Sequence, residues 1–188
     1  MGTFLRLGIV LASGLSAIPL FASSPSDESR LIEIAKSAVR AEVLRKSQDQ
    51  VEKENSPRPV FVTIEVANKV IGCRGGLVAR TTSLEEEVQL AARSAAAHDP
   101  RYRPLTAKDL QDFKVTVTLV ERLEPLSRVS GLRPEDGLVL TAGGKSGIVL
   151  PWEGKDPQVR LEWAYRKAGV MKGAPVKLQR LIATRFRG

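Results

Sequence analysis

Two segments of the chain alternate apolar and polar residues, which is the pattern of a β-strand with one buried face. They span residues 60–66 and 113–120, and both are rich in β-branched residues. Residues 138–140 and 148–150 flank a turn that contains two glycines, and therefore predict a hairpin. A further strand is predicted over residues 176–186. These patterns indicate a sheet in which short turns join several of the strands.

Three other segments repeat apolar residues every three or four positions, as amphipathic helices do. The first is predicted to begin after Ser24. The second begins at a capping box formed by Ser83 and Glu86, and the third lies between the N-cap Asp156 and the C-cap Gly169. Helices between strands that are joined mostly by hairpins predict a single α+β domain, with a largely antiparallel β-sheet flanked by helices.

The N-terminal segment differs from the rest of the chain, because residues 7–21 are apolar and almost uncharged after the single basic residue Arg6. This is the layout of a signal peptide, and the apolar run is shorter than the ~20 residues that span a bilayer. We therefore predict that residues 1–22 are removed and that residues 23–188 form an exported domain, periplasmic or secreted. An uncleaved anchor or a buried helix is the alternative.

The charge of the chain favours anionic partners without identifying one. Lysines and arginines number 29 against 21 aspartates and glutamates, for a formal net charge of +8. The basic residues are mostly scattered singly, which is typical of a solvated surface. The chain has only two Tyr, two Trp and five Phe on which nucleic-acid bases could stack, so a nucleic-acid partner is not favoured.

Residues needed for several common active sites are missing. His98 is the only histidine, which excludes metal sites built from two or more histidines. The sequence Gly144-Lys145-Ser146 resembles the end of a P-loop, but Val139 stands where the first glycine is required. No glycine fingerprint of a dinucleotide site opens a helix, so no cofactor is predicted.

Cys73 is the single cysteine and is predicted to lie in a glycine-rich loop, residues 72–76. A neighbouring arginine, here Arg74, can lower the pKa of a thiol into the reactive range, and glycines let a ligand approach the backbone. His98 is the one candidate for a base that titrates near neutral pH. The alternative is a buried Cys73 that packs as a small apolar residue, with His98 capping the end of a helix.

The order of five motifs resembles the AMMECR domain family, the component A proteins of the AmmeMemoRadiSam system. The motifs occupy residues 60–63, 71–75, 99–106, 147–151 and 166–169. The resemblance covers roughly residues 29–186 and implies an α+β domain whose glycine–cysteine loop lines a cleft. It also implies association with a Memo-type protein and with a radical enzyme that uses S-adenosylmethionine.

Two features depart from the family pattern. The family usually reads Leu-Arg-Gly-Cys-Ile-Gly, whereas Ile71 stands here where the arginine is expected and Arg74 follows the cysteine. The basic group therefore lies on the other side of the cysteine. The predicted signal peptide would also separate this protein from a radical enzyme whose reduced iron–sulfur cluster belongs in the cytoplasm.

The sequence leaves two functions open. The first is a binding module whose cleft holds a small anionic ligand or a protein segment. The residues assigned to that cleft are Gly72, Arg74, Gly75, Asp99, Arg101 and Lys145. The second is a cysteine-dependent enzyme or redox protein, with Cys73 as nucleophile or redox centre, Arg74 stabilising its thiolate and His98 as base.

Overall fold

The computed structural model describes residues 25–47 and 49–188. The predicted signal peptide, residues 1–22, lies outside the described residues, as does the predicted start of the mature domain. Within the described ranges, no helix combines the length and the hydropathy that crossing a membrane requires.

Three helices and six strands make up the described part of the chain, with two single-turn 3-10 helices at Ala107–Leu110 and Val129–Gly131. The helices are α1 (Pro25–Leu44), α2 (Leu84–Ala97) and α3 (Pro157–Ala168). The strands are β1 (Val60–Val66), β2 (Lys69–Gly75), β3 (Lys114–Pro125), β4 (Gly137–Ala142), β5 (Lys145–Val149) and β6 (Lys177–Arg187). They form one antiparallel sheet in the order β2-β1-β3-β6-β4-β5. The predicted α+β class is confirmed.

Helices α1 and α2 cover one face of β1 and β3. Side chains alternate between the two faces of a strand, so every second residue of these strands points into the helix layer. Val62, Ile64 and Val117 are fully buried there. Helix α2 begins at the predicted cap, where the hydroxyl of Ser83 accepts a hydrogen bond from the N–H of Glu86 at 3.3 Å. This layer contains the main apolar core.

Helix α3 covers the other half of the sheet. It packs on β4 and β5 and shares an apolar cluster with Leu138 and Val149. The carboxylate of Asp156 accepts hydrogen bonds from two first-turn amides at 2.8 and 2.9 Å, and Gly169 ends the helix with a φ of 62°. Both predicted caps of this helix are therefore confirmed.

The sheet is curled, which brings its two ends towards each other. A third apolar cluster, formed by Phe61, Val120, Val139 and Leu181, fills the inside of the curl. Strands β2 and β5 are the opposite edges of the sheet, yet the residues that follow β5 lie beside β1 and β3. The curl therefore creates a concave surface between segments that are distant in the sequence.

The residues around Cys73 form a strand, so the prediction of a glycine-rich loop over residues 72–76 is wrong. Strand β2 continues to Gly75. Its glycines serve close packing instead: a Cβ at Gly72 would lie 2.2 Å from the carbonyl oxygen of Ala95 in α2, and one at Gly75 would lie 2.1 Å from the carbonyl oxygen of Val60. Backbone therefore approaches backbone on both sides of Cys73.

Strand β2 also contains a β-bulge. Ile71 is the extra residue, because the residues on either side of it pair with consecutive residues of β1. Without the bulge, Val70 and Cys73 would point to opposite faces of the sheet, since they are three positions apart. With it, both side chains line the same cleft.

Candidate functional site

A row of small polar side chains crosses the sheet on the face opposite α1 and α2. Cys73 of β2 pairs with Thr63 of β1, and Thr63 pairs with Thr116 of β3. Residues paired across antiparallel strands point to the same face, so these three side chains lie side by side. We call Cys73, Thr63 and Thr116 the threonine floor.

The residues that follow β5 form the opposite wall. Residues 150–153, which we call the 150–153 turn, are closed by a hydrogen bond from the N–H of Glu153 to the carbonyl of Leu150 at 3.2 Å. Pro151 has the fixed φ that suits the second position of a turn, and Trp152 occupies the third with a φ of 64°. A bulky residue rarely adopts this left-handed conformation, so the fold holds Trp152 against strain of about 1–3 kcal/mol.

The threonine floor and the 150–153 turn enclose a cleft of about 180 Å³. Arg101 and Tyr102 line it near β2, and Arg185 of β6 lines it near β3. Trp152 is 55% exposed and Tyr102 is 36% exposed, so two aromatic rings remain open to solvent at the cleft. A cleft of this volume has room for a small molecule.

The thiol of Cys73 is held in its protonated form. Burial raises its pKa above the ordinary value, and the nearby carboxylate of Glu153 acts in the same direction. The hydroxyl of Thr63 donates a hydrogen bond to the Cys73 Sγ at 3.1 Å and lowers the pKa, as do the cations of Arg101 and Lys167, without reversing the shift. A nucleophilic cysteine requires a shift in the opposite direction.

Asp99 and Arg101 hold the free edge of β2 at Cys73. Because β2 is an edge of the sheet in the described part of the chain, no strand there pairs with the outward N–H and C=O of Cys73. Asp99 Oδ2 accepts a hydrogen bond from the Cys73 N–H at 2.8 Å, and Arg101 Nη2 donates one to the Cys73 carbonyl at 3.0 Å. The two side chains also pair with each other at 2.8 Å. We call this arrangement the Asp99–Arg101 clamp.

The clamp keeps both of its members charged. Burial by itself would raise the pKa of the Asp99 carboxyl, but hydrogen bonds from the Arg101 guanidinium and from the Cys73 N–H outweigh it and hold the pKa below the ordinary value. The hydrogen bond to Asp99 in turn raises the pKa of Arg101. Charge-assisted hydrogen bonds of this kind fix the position of the backbone at Cys73 more firmly than neutral ones do.

Three of the predicted site residues lie together: Cys73, Asp99 and Arg101. Arg74 does not join them, because it is the next residue of the strand after Cys73 and its exposed side chain points to the other face. Arg101, which comes from the segment after α2, is the arginine beside the thiol. Gly72 carries the close packing of α2 described above.

The structure places the other predicted residues as follows. Gly75 packs against β1. His98 is the C-cap of α2, and its exposed side chain lines a separate concavity that Arg45 also lines. Lys145 begins β5, and its ammonium group lies 3.5 Å from the carbonyl oxygen of Gly169 at the end of α3. Neither His98 nor Lys145 lines the cleft at Cys73.

Several residues that line the cleft were not predicted: Thr63, Thr116, Trp152, Glu153 and Arg185. The alternation of β1 and β3 carries a signal for the two threonines, because it places them on the polar face of adjacent strands. No pattern in the sequence indicates that the 150–153 turn reaches β1, since that contact depends on the curl of the sheet.

The cleft does not offer a set of metal ligands. Within the described part of the chain, no group of three or more His, Cys, Asp and Glu side chains is placed to hold a metal ion. The carboxylates that line the cleft are Glu65 and Glu153, and each forms an ion pair, with Arg187 and Lys167 respectively.

The protein is an α+β domain built on a curled antiparallel sheet. Two helices cover one face of β1 and β3, and the cleft lined by Cys73 lies on the other face. The family model described as AMMECR1 matches residues 32–188, so the chain belongs to the AMMECR1 family, as the order of its motifs predicted.

Related proteins extend over most of the chain. A protein of Aeropyrum pernix is 34% identical over 162 residues, which are 77% of this chain and 70% of that protein. A protein of Thermotoga maritima is 30% identical over 132 residues, which are 68% of this chain and 76% of that protein. The crystal structure of an uncharacterised protein from Pyrococcus horikoshii matches the fold with a TM-score of 0.75 and 23% identity, over 85% of this chain and 90% of that one.

Proposed function

We propose that this AMMECR1-family protein is a binding module that holds a small molecule in the cleft between the threonine floor and the 150–153 turn. One observation carries the proposal. The hydroxyl of Thr116 is buried in the floor of the cleft and has no hydrogen-bond partner among the described residues. An unpaired buried polar group costs about 1–3 kcal/mol, which a ligand with a matching donor or acceptor would recover.

The Asp99–Arg101 clamp supports this proposal by preorganising the floor. It ties both backbone groups of Cys73 to side chains from the segment after α2. A floor that is already in its binding conformation loses less conformational freedom when a ligand binds. The clamp therefore serves affinity without contacting the ligand through its carboxylate, which is fully engaged.

The raised pKa of Cys73 favours binding over thiolate catalysis. The half-buried thiol accepts a hydrogen bond from the hydroxyl of Thr63, and His98 lies in another concavity. Cys73 then contributes a small, polarizable surface to the floor, a common use of buried cysteine. The predicted export, and the predicted association with a Memo-type protein and a radical enzyme that uses S-adenosylmethionine, stay predictions.

The proposal can be tested by NMR on the full chain with isotope-labelled threonine methyl groups. Benzamide, phenol, phenylacetamide, phenylacetate and imidazole form a suitable panel of neutral and charged probes. We expect at least one probe to shift the methyl signals of Thr63 and Thr116 saturably. The methyl signal of Thr141, a threonine of β4 that does not line the cleft, is the internal control.

A matched pair of variants gives the second part of the test. Thr116→Val keeps the shape of the side chain and removes the hydroxyl, so it should weaken the binding of a probe that hydrogen-bonds there, whereas Thr141→Val should not. The proposal is overturned if no probe moves the two floor signals, or if Thr141 moves as much as they do. Affinity that is unchanged in Thr116→Val would also overturn it.

A further inference from the structure

We propose that the ligand of the cleft is a small monocarboxylate with a flat apolar body, whose carboxylate binds Arg185. This inference rests on the proposed function and names the chemical class that the site selects. It is carried by the balance of charges along the cleft wall and by the aromatic side chains at its edge.

Among the described residues, every charged side chain that lines the cleft is paired with an opposite charge, with one exception. Arg101 pairs with Asp99 at 2.8 Å, and Glu65 pairs with Arg187 at 2.9 Å. Glu153 pairs with Lys167 and also accepts a hydrogen bond from a backbone amide of its own turn. These three pairs leave the wall without net charge where they stand.

Arg185 is the exception. Its guanidinium lies within salt-bridge distance of no carboxylate in the described ranges, and its one hydrogen bond is a long one, 3.4 Å, to the carbonyl of Pro151. A guanidinium carries five N–H donors in a plane that matches a carboxylate, so most of the donors of Arg185 remain available. The cleft therefore has one unneutralised positive charge, and Arg185 pairs across the sheet with Thr118, which also lines the cleft.

Apolar and aromatic side chains line the cleft opposite and beside the threonine floor. Trp152 and Tyr102 are exposed, and Val70 of β2 is 39% exposed on the same cleft. The 150–153 turn holds the backbone of Trp152 in its left-handed conformation, and the fold thereby places this residue in the wall of the cleft. Aromatic rings prefer offset or edge contacts with other rings, which suits a ligand with a flat body.

The carboxylates of the cleft select against a second negative charge. Glu65 and Glu153 both line the cleft, and a dianion such as a phosphate monoester would lie near both of them while only Arg185 is unpaired. A monoanion satisfies Arg185 without an excess of negative charge. A neutral ligand would form only uncharged hydrogen bonds to the exposed guanidinium of Arg185, which are weaker than those of a carboxylate.

The test compares three probes of nearly equal shape on the full chain: phenylacetate, its neutral amide phenylacetamide, and the dianion phenyl phosphate. Dissociation constants are measured by NMR titration at constant ionic strength. We expect phenylacetate to bind about tenfold more tightly than the amide, because it forms charge-assisted hydrogen bonds to Arg185. Phenyl phosphate should bind more weakly than phenylacetate.

Two arginine variants assign the preference to one residue. Arg185→Gln should abolish the preference for the acid over the amide. Arg128→Gln removes the same charge from an exposed arginine that does not line the cleft, and should leave the preference intact. Trp152→Ala should weaken the acid and the amide by the same factor, since it removes a contact with the body they share.

The possible outcomes separate this inference from the proposed function. If the amide binds as tightly as the acid and moves the methyl signals of Thr63 and Thr116, the cleft binds small molecules but does not select a carboxylate, and this inference is wrong. The inference is equally wrong if Arg185→Gln keeps the preference, if phenyl phosphate binds most tightly, or if none of the three probes binds.

Discussion

The two faces of strands β1 and β3 are built from alternate residues of the same segments, and they differ in almost every property. On one face, Val62, Ile64 and Val117 are completely buried under α1 and α2. On the other face, the neighbours Thr63 and Thr116 point into a cleft to which none of the three described helices contributes a lining residue. The helix face has the composition of a core, whereas the cleft face has the composition of a site.

The difference between the two faces indicates that the helix face stabilises the fold, whereas the cleft face lowers its stability. A fold becomes less stable when it buries a hydroxyl without a hydrogen-bond partner, as it does at Thr116. It also becomes less stable when it holds a tryptophan in a left-handed conformation. Both features occur on the cleft side. Departures from local rules that lie together in one cleft point to function.

The largest contrast is expected from truncating one residue on each face of β1. Ile64→Ala should lower the free energy of unfolding by about 4 kcal/mol, because it opens a cavity under the helices. Thr63→Ala, one position earlier on the cleft face, should cost only about 1 kcal/mol for its hydrogen bond to Cys73. Urea unfolding measures both, and equal losses would contradict the distinction between the faces.

The second-largest loss of stability is expected from substituting Gly72, the glycine of β2 that faces the helices. In Gly72→Ala the new Cβ would meet the carbonyl oxygen of Ala95 at 2.2 Å, so α2 has to move away, at a cost of about 3 kcal/mol. Gly76→Ala is the control, since its Cβ would lie 3.5 Å from the nearest atom. The two variants can be compared by chemical denaturation. If Gly72→Ala had the same stability as Gly76→Ala, the backbones of α2 and β2 could not be in close contact at Gly72.

The Asp99–Arg101 clamp on the cleft side should contribute less to stability than the packing at Gly72. Its contribution should also depend on pH. Asp99→Asn should lower the free energy of unfolding at pH 7 by about 2 kcal/mol, because it removes the charge that pairs with Arg101. The folded-state pKa of Asp99 is depressed, so its stabilisation is complete above the unfolded pKa of ~3.9 and is lost as the pH falls through the folded value.

The measurement for Asp99 is therefore a series of unfolding curves from pH 7 downwards. The difference between the protein and Asp99→Asn should shrink below about pH 4. The exposed Asp112 provides the control variant, Asp112→Asn, which should show a much smaller difference at every pH. A pH-independent difference for Asp99 would indicate that shape rather than charge makes the clamp.

The smallest effect is expected on the reactivity of Cys73. Alkylation of the folded protein, followed by intact mass, should have a pH midpoint above the ~8.5 of a free cysteine, because burial raises the pKa of the thiol. Thr63→Val should move the midpoint further up, since the hydroxyl that donates to the sulfur is lost. The denatured protein serves as reference. A midpoint below that of the reference would revive the hypothesis of a nucleophilic cysteine.

Local patterns in the sequence predicted the elements and their caps. The period-two alternation correctly predicted β1 and β3. Two helices begin at the predicted N-caps Ser83 and Asp156, whose side chains accept hydrogen bonds from first-turn amides. The same reasoning was wrong about residues 72–76. Glycines are common both in loops and where two backbones touch, and only the position of α2 against Gly72 distinguishes these cases.

The membership of the site was only partly predictable. Cys73, Asp99 and Arg101 were assigned to it and lie together, whereas His98 and Lys145 were assigned and lie elsewhere. In the first group, Asp99 and Arg101 are only two positions apart in the chain, and both reach a strand edge that needs hydrogen-bond partners. In the second group, the sequence spacing carried no information about distance.

What the sequence alone determined is the set of elements, the buried face of each, the antiparallel class and the family, because these depend on contacts within a few residues and on the order of motifs. What only the tertiary structure decided is the cleft. Its two walls come from β1–β3 and from residues 150–153, which are joined by the curl of a sheet whose apolar filling includes Phe61 and Leu181. Contacts between segments so far apart in the chain follow from packing, which no local pattern encodes.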